Sequence, residues 1–360
     1  MAETFRVGIV GAVSSYSLHY GRALRDLPDV ALVGMAHLGR SEKYIKDSWN
    51  LPWLAKYPKT LSGYAQTFAT TIYQSLAELV EDGRPDAVCI CTEDYLHLHY
   101  AQQAVEQGLH VLIPKPFARS VEEAETLFQA AAGGKVVLVG SLPHRFTAAS
   151  VTARQAIDEG AIGRPISGHF SIAHHLSLGS WKSDPAMAAG PEYEIGFYVF
   201  DLMRMLMKSE PKTVLGLAAN LDHGGIPYID NGKCMVTCQN GALASIDLIC
   251  SMHQPFPAAR GMYVVGDEGA LTVETPPDTG QSVVAIHRPD GIQRREIPTW
   301  DANERELAAW IDLIRHDQDA TWWQEEGLRT LSLISAYKSA YQTGEMITMA
   351  SSLSKATLAR

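Results

Sequence analysis

The chain is short of the features that mark nucleic-acid, membrane and secreted proteins. Positive charge is scarce: 30 Lys and Arg stand against 40 Asp and Glu, a formal net charge of -10. Counterion-release binding to nucleic acid needs a basic surface that this balance does not supply. No apolar run approaches the roughly 18 residues of a membrane span. Cysteines are few and odd in number, and Cys89, Cys91, Cys234, Cys238 and Cys250 all lie in apolar, strand-like text. Without the loop context of a zinc knuckle, they read as reduced core residues of a cytosolic protein. The opening MAETFRVGIV shows neither a basic leader nor a cleavage site. The expectation is a cytoplasmic protein with a small-molecule partner, no nucleic acid and no membrane contact.

With 360 residues, 46% of them apolar, the chain exceeds what one core normally serves, so two domains are expected. Up to Pro143, apolar runs (FRVGIV, VALVGMA, DAVCICT, HVLIPK, VVLVGS) alternate with helical patterns. Strands that are apolar throughout belong to a parallel sheet covered on both faces. Residues 1–143 therefore read as a Rossmann-type, doubly wound α/β domain, with its ligand crevice at the carboxyl ends of the strands. Residues 144–360 change to two-period strands with Asn240-Gly241 and Asp290-Gly291 at hairpin positions. They read as an α+β substrate and oligomerisation domain with a large, mostly antiparallel open sheet, its last helix placed to pack back on the first domain. The stretch 41–71, with Trp49, Trp53, Tyr57 and Tyr64, is long for a crossover. It is either an extra helix packed on the domain or a lid or subunit contact.

Glycine is missing where a dinucleotide fingerprint most wants it. In VGIVGAVSSYSLHY, Val7 to Tyr20, Gly11 fills the first position of G-x-G-x-x-G, but Val13 and Tyr16 occupy the second and third. A helix N-terminus with Ser14, Ser15 and Ser17 beside it still suits an anion. After the second strand, His37 stands where an acidic residue would hold the ribose. Arg40, Ser41 and Lys43 would suit a 2'-phosphate, which favours NADP over NAD if a dinucleotide binds. The other reading of these residues is a solvated start to the next helix.

Two further segments carry chemistry. Lys115 lies between Pro114 and Pro116 at the carboxyl end of an apolar strand. Glu194, Tyr198 and Asp201 stand at i, i+4 and i+7, presenting a carboxylate, a phenol and a second carboxylate on one helical face. A lysine near Tyr198 would favour its phenolate and fit it for acid–base work. Alternatively, Tyr198 packs between domains and Asp201 pairs structurally. His144, His174 and His175 are candidates to face the cleft, but adjacent strand histidines point to opposite faces, so no metal site is expected. Trp181, in SLGSWKSDP, is either a stacking face for a sugar ring or a structural loop residue.

The order of these segments resembles the Gfo/Idh/MocA oxidoreductase family. CTEDYLH, through Thr92 and His97, is similar to the family's T-P-N-x-x-H. GLHVLIPKP resembles its G-K-H-V-x-x-E-K-P, with Lys115 on the family's lysine. GFYVFD, Gly196 to Asp201, resembles its G-x-H-x-x-D helix, and VGDEGAL its G-x-x-G-x-L hairpin. The resemblance spans nearly the whole chain. It implies NAD(P)-dependent hydride transfer at a sugar, cyclitol or polyol carbon, with Lys115 polarising the hydroxyl and Tyr198 in the histidine's place as acid or base. It implies Glu194 where many relatives have aspartate, and Asp201, His174, Trp181 and His144 toward substrate. Gly11, Val13, Ser14, Ser15, His37, Arg40, Ser41, Thr92, His97 and Pro114 would line the cofactor side. It also implies a homodimer or homotetramer through the second sheet. Pro114 replaces the family's glutamate, and Glu93 and Asp94 its Pro-Asn. With Val13, Tyr16 and His37, these departures gather on the cofactor side. They leave two alternatives: a lyase or glycosidase that recycles its cofactor, and a non-catalytic accessory paralogue.

Overall fold

The structure, a computed structural model, describes residues 4–132, 136–173, 180–252, 259–275 and 281–349. Six parallel strands form the first sheet: β1 (Phe5–Val10), β2 (Val30–Ala36), β3 (Ile72–Tyr73), β4 (Ala87–Ile90), β5 (His110–Ile113) and β6 (Leu138–Gly140). Their spatial order is β3-β2-β1-β4-β5-β6, with every pairing parallel. Side chains on both faces of β1, β4 and β5 are buried, which is why these strands are apolar throughout rather than alternating. Strand order reverses direction between β1 and β4, and that switch point opens the crevice. The chain leaves β1 through Gly11, at φ +95°, where a Cβ would lie 2.7 Å from the Cys91 backbone. No other residue type fits that turn.

The second sheet has nine strands: β7 (Pro165–Ala173), β8 (Pro211–Ala219), β9 (Asn231–Cys238), β10 (Leu243–Ile249), β11 (Ala259–Gly266), β12 (Ala270–Thr275), β13 (Val283–Arg288), β14 (Gly291–Arg295) and β15 (Ile347–Thr348). Their order is β14-β13-β12-β11-β7-β10-β9-β8-β15. Only β7 and β10 pair in parallel. Along β9, Cys234, Val236 and Cys238 face inward while Lys233 and Met235 face out, the alternation expected of a sheet with one open face. The hairpins turn at Gly241 and Gly291, both at positive φ, as their dipeptides predict.

Helices Gly196–Met207 and Thr321–Thr343 cover the inner face of this sheet, and the C-terminal helices also reach the first one. Trp323 Nε1 donates to the Gly140 carbonyl at 2.8 Å and Gln324 Nε2 to that of Leu138 at 2.8 Å. In helix Ala302–Arg315, the fully buried Glu306 accepts from Ser141 Oγ at 2.8 Å and from the Leu142 N–H at 2.7 Å. Burial outweighs those bonds and pushes its carboxyl up to about 7. A folded-state value above the unfolded 4.5 makes this group's contribution to stability full at acid pH and lost as pH rises through about 7. Melting temperature should therefore fall from about pH 5 to about pH 8, and Glu306→Gln should flatten that slope, as read by scanning calorimetry.

The 41–71 stretch is the packed alternative of the two expected. Helices Glu42–Trp49 and Leu61–Phe68 stack the buried Trp49 on Tyr64 at 5.8 Å. The Tyr64 hydroxyl donates to the Ser17 carbonyl at 2.9 Å. Among the described residues no helix is long and apolar enough to cross a membrane, and all five cysteines are buried free thiols.

Candidate active site

Lys115 follows β5 at the rim of the crevice, and the second domain brings Glu194 and Tyr198 against it. Its Nζ donates to the Glu194 carbonyl at 2.7 Å and lies 3.1 Å from Glu194 Oε1. Lys182 Nζ reaches the same carboxylate oxygen at 2.7 Å. Burial alone would lower Lys115, but Glu194 and Tyr198 outweigh it and raise it. Burial would likewise raise Glu194, yet the two lysines bring it down to about 2. The pair is thus an ammonium and a carboxylate at neutral pH, the lysine buried and the glutamate partly exposed.

Tyr198 is fixed on three sides. Lys115 Nζ sits 4.3 Å from its ring centre. The His144 ring stacks on it at 4.1 Å and 11°. Its hydroxyl lies 3.0 Å from that of Tyr16. Tyr16 is the residue in the fingerprint's third glycine position, so the phosphate loop sends a phenol across the crevice to the second domain. Burial, then Tyr198 beside it, holds Tyr16 well above the usual phenol range. Tyr16 therefore stays protonated, and either hydroxyl can donate to the other.

The remaining predicted residues divide among several places. Asp201 lies away from the Lys115 cluster: Arg145 grips it with Nε at 2.8 Å and NH2 at 2.8 Å, and Thr330 Oγ1 donates at 2.9 Å. Trp181 is buried with Lys182 over its ring at 5.6 Å, so it props that lysine. His174 and His175 lie outside the described residues. Among those described, no three His, Cys, Asp or Glu side chains converge as a metal site would require. His97 is buried, with neither ring nitrogen hydrogen-bonded among the described residues. Burial lowers it to about 4, so its ring is neutral. Thr92 Oγ1 donates to the Glu93 carbonyl at 3.1 Å, and Pro114 is buried beside Lys115.

The three residues read as suiting a 2'-phosphate, Arg40, Ser41 and Lys43, are each engaged by a neighbour, so their residue types alone do not carry a preference for NADP. Arg40 pairs with Glu93 at 2.9 Å, and the Ser41 side chain caps helix Glu42–Trp49 by accepting from the Tyr44 N–H. His37 Nδ1 contacts the Arg40 carbonyl at 3.2 Å. Lys43 pairs on the surface with Asp47 at 2.7 Å. The same pairing bears on Glu93 and Asp94, two carboxylates that would otherwise repel a phosphate on the cofactor side. Glu93 is neutralised by Arg40, while burial, then Glu194, pushes Asp94 up to about 7 although it accepts from the Ala189 N–H at 2.9 Å.

A dinucleotide fits the frame. The strand order places a helix N-terminus at the end of β1, and the backbone N–H groups of Val13 and Ser15 make no backbone hydrogen bond among the described residues. That leaves donors for a pyrophosphate, with the Ser14 and Ser15 hydroxyls beside them and Lys115 on the far side of the switch point. Val13 is buried. Sequence reasoning missed Tyr16 as a site residue and Lys182 as Glu194's second cation. The only signal for Tyr16 was the absent glycine, since its contact is 182 residues away.

Residues 5–141 match the family described as "Oxidoreductase family, NAD-binding Rossmann fold", and residues 150–272 match the "GFO/IDH/MocA C-terminal domain". The chain is 28% identical over 256 residues to dTDP-3,4-didehydro-2,6-dideoxy-alpha-D-glucose 3-reductase of Streptomyces violaceoruber, covering 70% of this chain and 73% of that one. It is 29% identical over 280 residues to 1,5-anhydro-D-fructose reductase of Ensifer adhaerens, covering 75% and 82%. Among solved structures, levoglucosan dehydrogenase in complex with NADH and levoglucosan superposes with a TM-score of 0.81 at 18% identity, covering 96% and 99%. Aldose-aldose oxidoreductase from Caulobacter crescentus does so with a TM-score of 0.79 at 17% identity, covering 96% and 100%. With the strand order, the lysine after β5 and both halves matched, this chain belongs to the Gfo/Idh/MocA oxidoreductase family.

Proposed function

We propose that the protein is an NAD(P)-dependent oxidoreductase that transfers a hydride to or from a hydroxyl-bearing carbon of a sugar, cyclitol or related polyol. The observation that carries this reading is the buried Lys115 ammonium, clamped by Glu194 against the face of Tyr198 at the carboxyl end of β5. A bound nicotinamide supplies the hydride donor or acceptor. Lys115 donates to the reacting oxygen and stabilises negative charge there. Tyr198 takes or returns the hydroxyl proton. The Tyr16 hydroxyl, hydrogen-bonded to that of Tyr198, fixes where the Tyr198 oxygen sits. Glu194 holds Lys115 charged and oriented, and His144 fixes the plane of the Tyr198 ring. The named activities of the relatives, on a dideoxy sugar nucleotide, on 1,5-anhydrofructose and on levoglucosan, support a carbohydrate as substrate. The buried free thiols agree with a reducing, cytoplasmic setting.

The test is a panel of levoglucosan, inositol, 1,5-anhydrofructose, xylose and related polyols, with NAD(H) and NADP(H), followed through reduced-nicotinamide absorbance. Oxidation or reduction of at least one member supports the reading. Tight cofactor retention with sugar conversion but no net redox change would instead identify the recycling lyase or glycosidase. Failure to bind either dinucleotide leaves the accessory paralogue.

We also propose assembly through the open face of the second sheet, as a homodimer or homotetramer. Leu215, Leu217, Met235 and Leu243 are exposed on the adjacent strands β8, β9 and β10, and Tyr263 on β11, apolar side chains of the kind that mark an interaction surface. Leu217→Asp with Met235→Asp should convert the assembly to monomer in light scattering, with the melting curve of the subunit retained.

A further inference from the structure

The register of the first sheet fixes where the Arg40–Glu93 pair lies. Val10, the last residue of β1, is flanked by Ala36 of β2 on one side and Ile90 of β4 on the other. Arg40 comes four residues after Ala36 and Glu93 three after Ile90. Their contact at 2.9 Å therefore crosses the carboxyl end of β1, over the loop whose open amides suit a pyrophosphate. Glu93 is almost fully buried and is held from its other side by the Tyr44 hydroxyl, which donates to Oε1 at 3.1 Å. Arg40 NH2 also reaches the Tyr95 hydroxyl at 3.4 Å. The bridge joins the side of the crevice where the adenosine ribose sits in a doubly wound fold to the side that leads to Lys115.

We propose that Glu93 is the residue that sets dinucleotide specificity, selecting NAD over NADP by holding Arg40, the first arginine after the second strand. This rests on the reading of the site as a dinucleotide-dependent oxidoreductase. An arginine just past the second strand ordinarily accommodates the 2'-phosphate, and an acidic residue at that strand's end ordinarily holds the ribose hydroxyls. Here the acidic residue is absent, with His37 in its place, and the arginine is present but neutralised by a carboxylate from the neighbouring crossover. A 2'-phosphate entering beside the pair meets a cation already shared with a buried anion a few ångströms further on. Attraction and repulsion then largely cancel. A ribose hydroxyl has no such conflict. The Arg40 Nε–H, buried without a partner among the described residues, is a donor that a neutral hydroxyl oxygen can satisfy. The residue types at positions 40, 41 and 43 suggest NADP on their own; the carboxylate that reverses this lies fifty residues away in sequence.

The test is the dissociation constant of the full-length protein for NADH and NADPH, by nicotinamide fluorescence, in wild type, Glu93→Gln, Arg40→Met and the double variant. Wild type should bind NADH about tenfold or more tighter than NADPH. Glu93→Gln keeps the Tyr44 hydrogen bond and removes the charge, and it should improve NADPH about tenfold while changing NADH little. The gain should vanish in the double variant, because it works through Arg40. Equal or tighter NADPH binding by wild type overturns the proposal without recourse to any variant. So does an unchanged preference in a folded Glu93→Gln, or a gain that survives loss of Arg40. Binding of neither nucleotide overturns the oxidoreductase reading itself, and this inference with it.

Discussion

Replacing Lys115 with methionine lowers turnover on the best substrate by about two to four orders of magnitude, the usual range for a positioned proton-transfer group, while NADH affinity changes little. The ammonium lies at the end of β5 within reach of both Glu194 and the Tyr198 ring, at 2.7 to 4.3 Å. Methionine fills the same volume, so no cavity accompanies the loss of charge. The Glu194 carboxylate keeps Lys182 at 2.7 Å and is not left unpaired in the interior, so the fold should survive. Glu194 should nonetheless rise from about 2 once one of its two cations is gone. Stopped-flow or steady-state assays give the rate, and a melting curve confirms the fold. A methionine variant that turns over as wild type would remove Lys115 from the chemistry.

Replacing Asp201 with alanine acts on stability instead. The residue sits in the same motif-like helix as Tyr198, but its carboxylate is locked by Arg145 and Thr330. Arg145 also contacts Glu326, which is bound by Arg204, and Arg204 in turn holds Glu210 at 2.8 Å. Truncating Asp201 leaves Arg145 and the almost fully buried Arg204 short of one anion. Breaking one partner of a buried charge cluster costs about 3–5 kcal/mol. The measurement is the denaturant midpoint of Asp201→Ala against wild type and Asp201→Asn. Asparagine keeps an acceptor for Thr330 and should lose less. NADH affinity should be unchanged in both.

The contrast between these two residues shows what the sequence made legible. Strand content and class follow from local signals: runs apolar throughout for the parallel sheet, alternation and Asn-Gly or Asp-Gly turns for the antiparallel one, and Gly11 at a turn with no room for a Cβ. Lys115 was legible because its place at the carboxyl end of a buried strand makes a solvent-facing role unlikely on physical grounds. For Asp201 the family resemblance points to the substrate side while the residue pattern leaves structural pairing open, and spacing alone cannot show that Arg145, from the domain junction, and Thr330, from the last long helix, converge on it. Tyr16 and Arg40 show the converse: each meets a partner from another crossover or the other domain, which its own motif position does not reveal. The phenol of Tyr16 meets Tyr198, and the charge of Arg40 meets Glu93.

The central claim is that this crevice brings a nicotinamide and a carbohydrate carbon together at Lys115 and Tyr198. The most direct measurement uses NADH carrying deuterium on either face of nicotinamide C4, with the keto form of each panel sugar, and mass spectrometry of the product. The account predicts that wild type places deuterium on the former carbonyl carbon from one face only, and that Lys115→Met does so at a rate lower by about two to four orders of magnitude. NADH binding with no deuterium transferred to any sugar, or transfer undiminished in Lys115→Met, would contradict it.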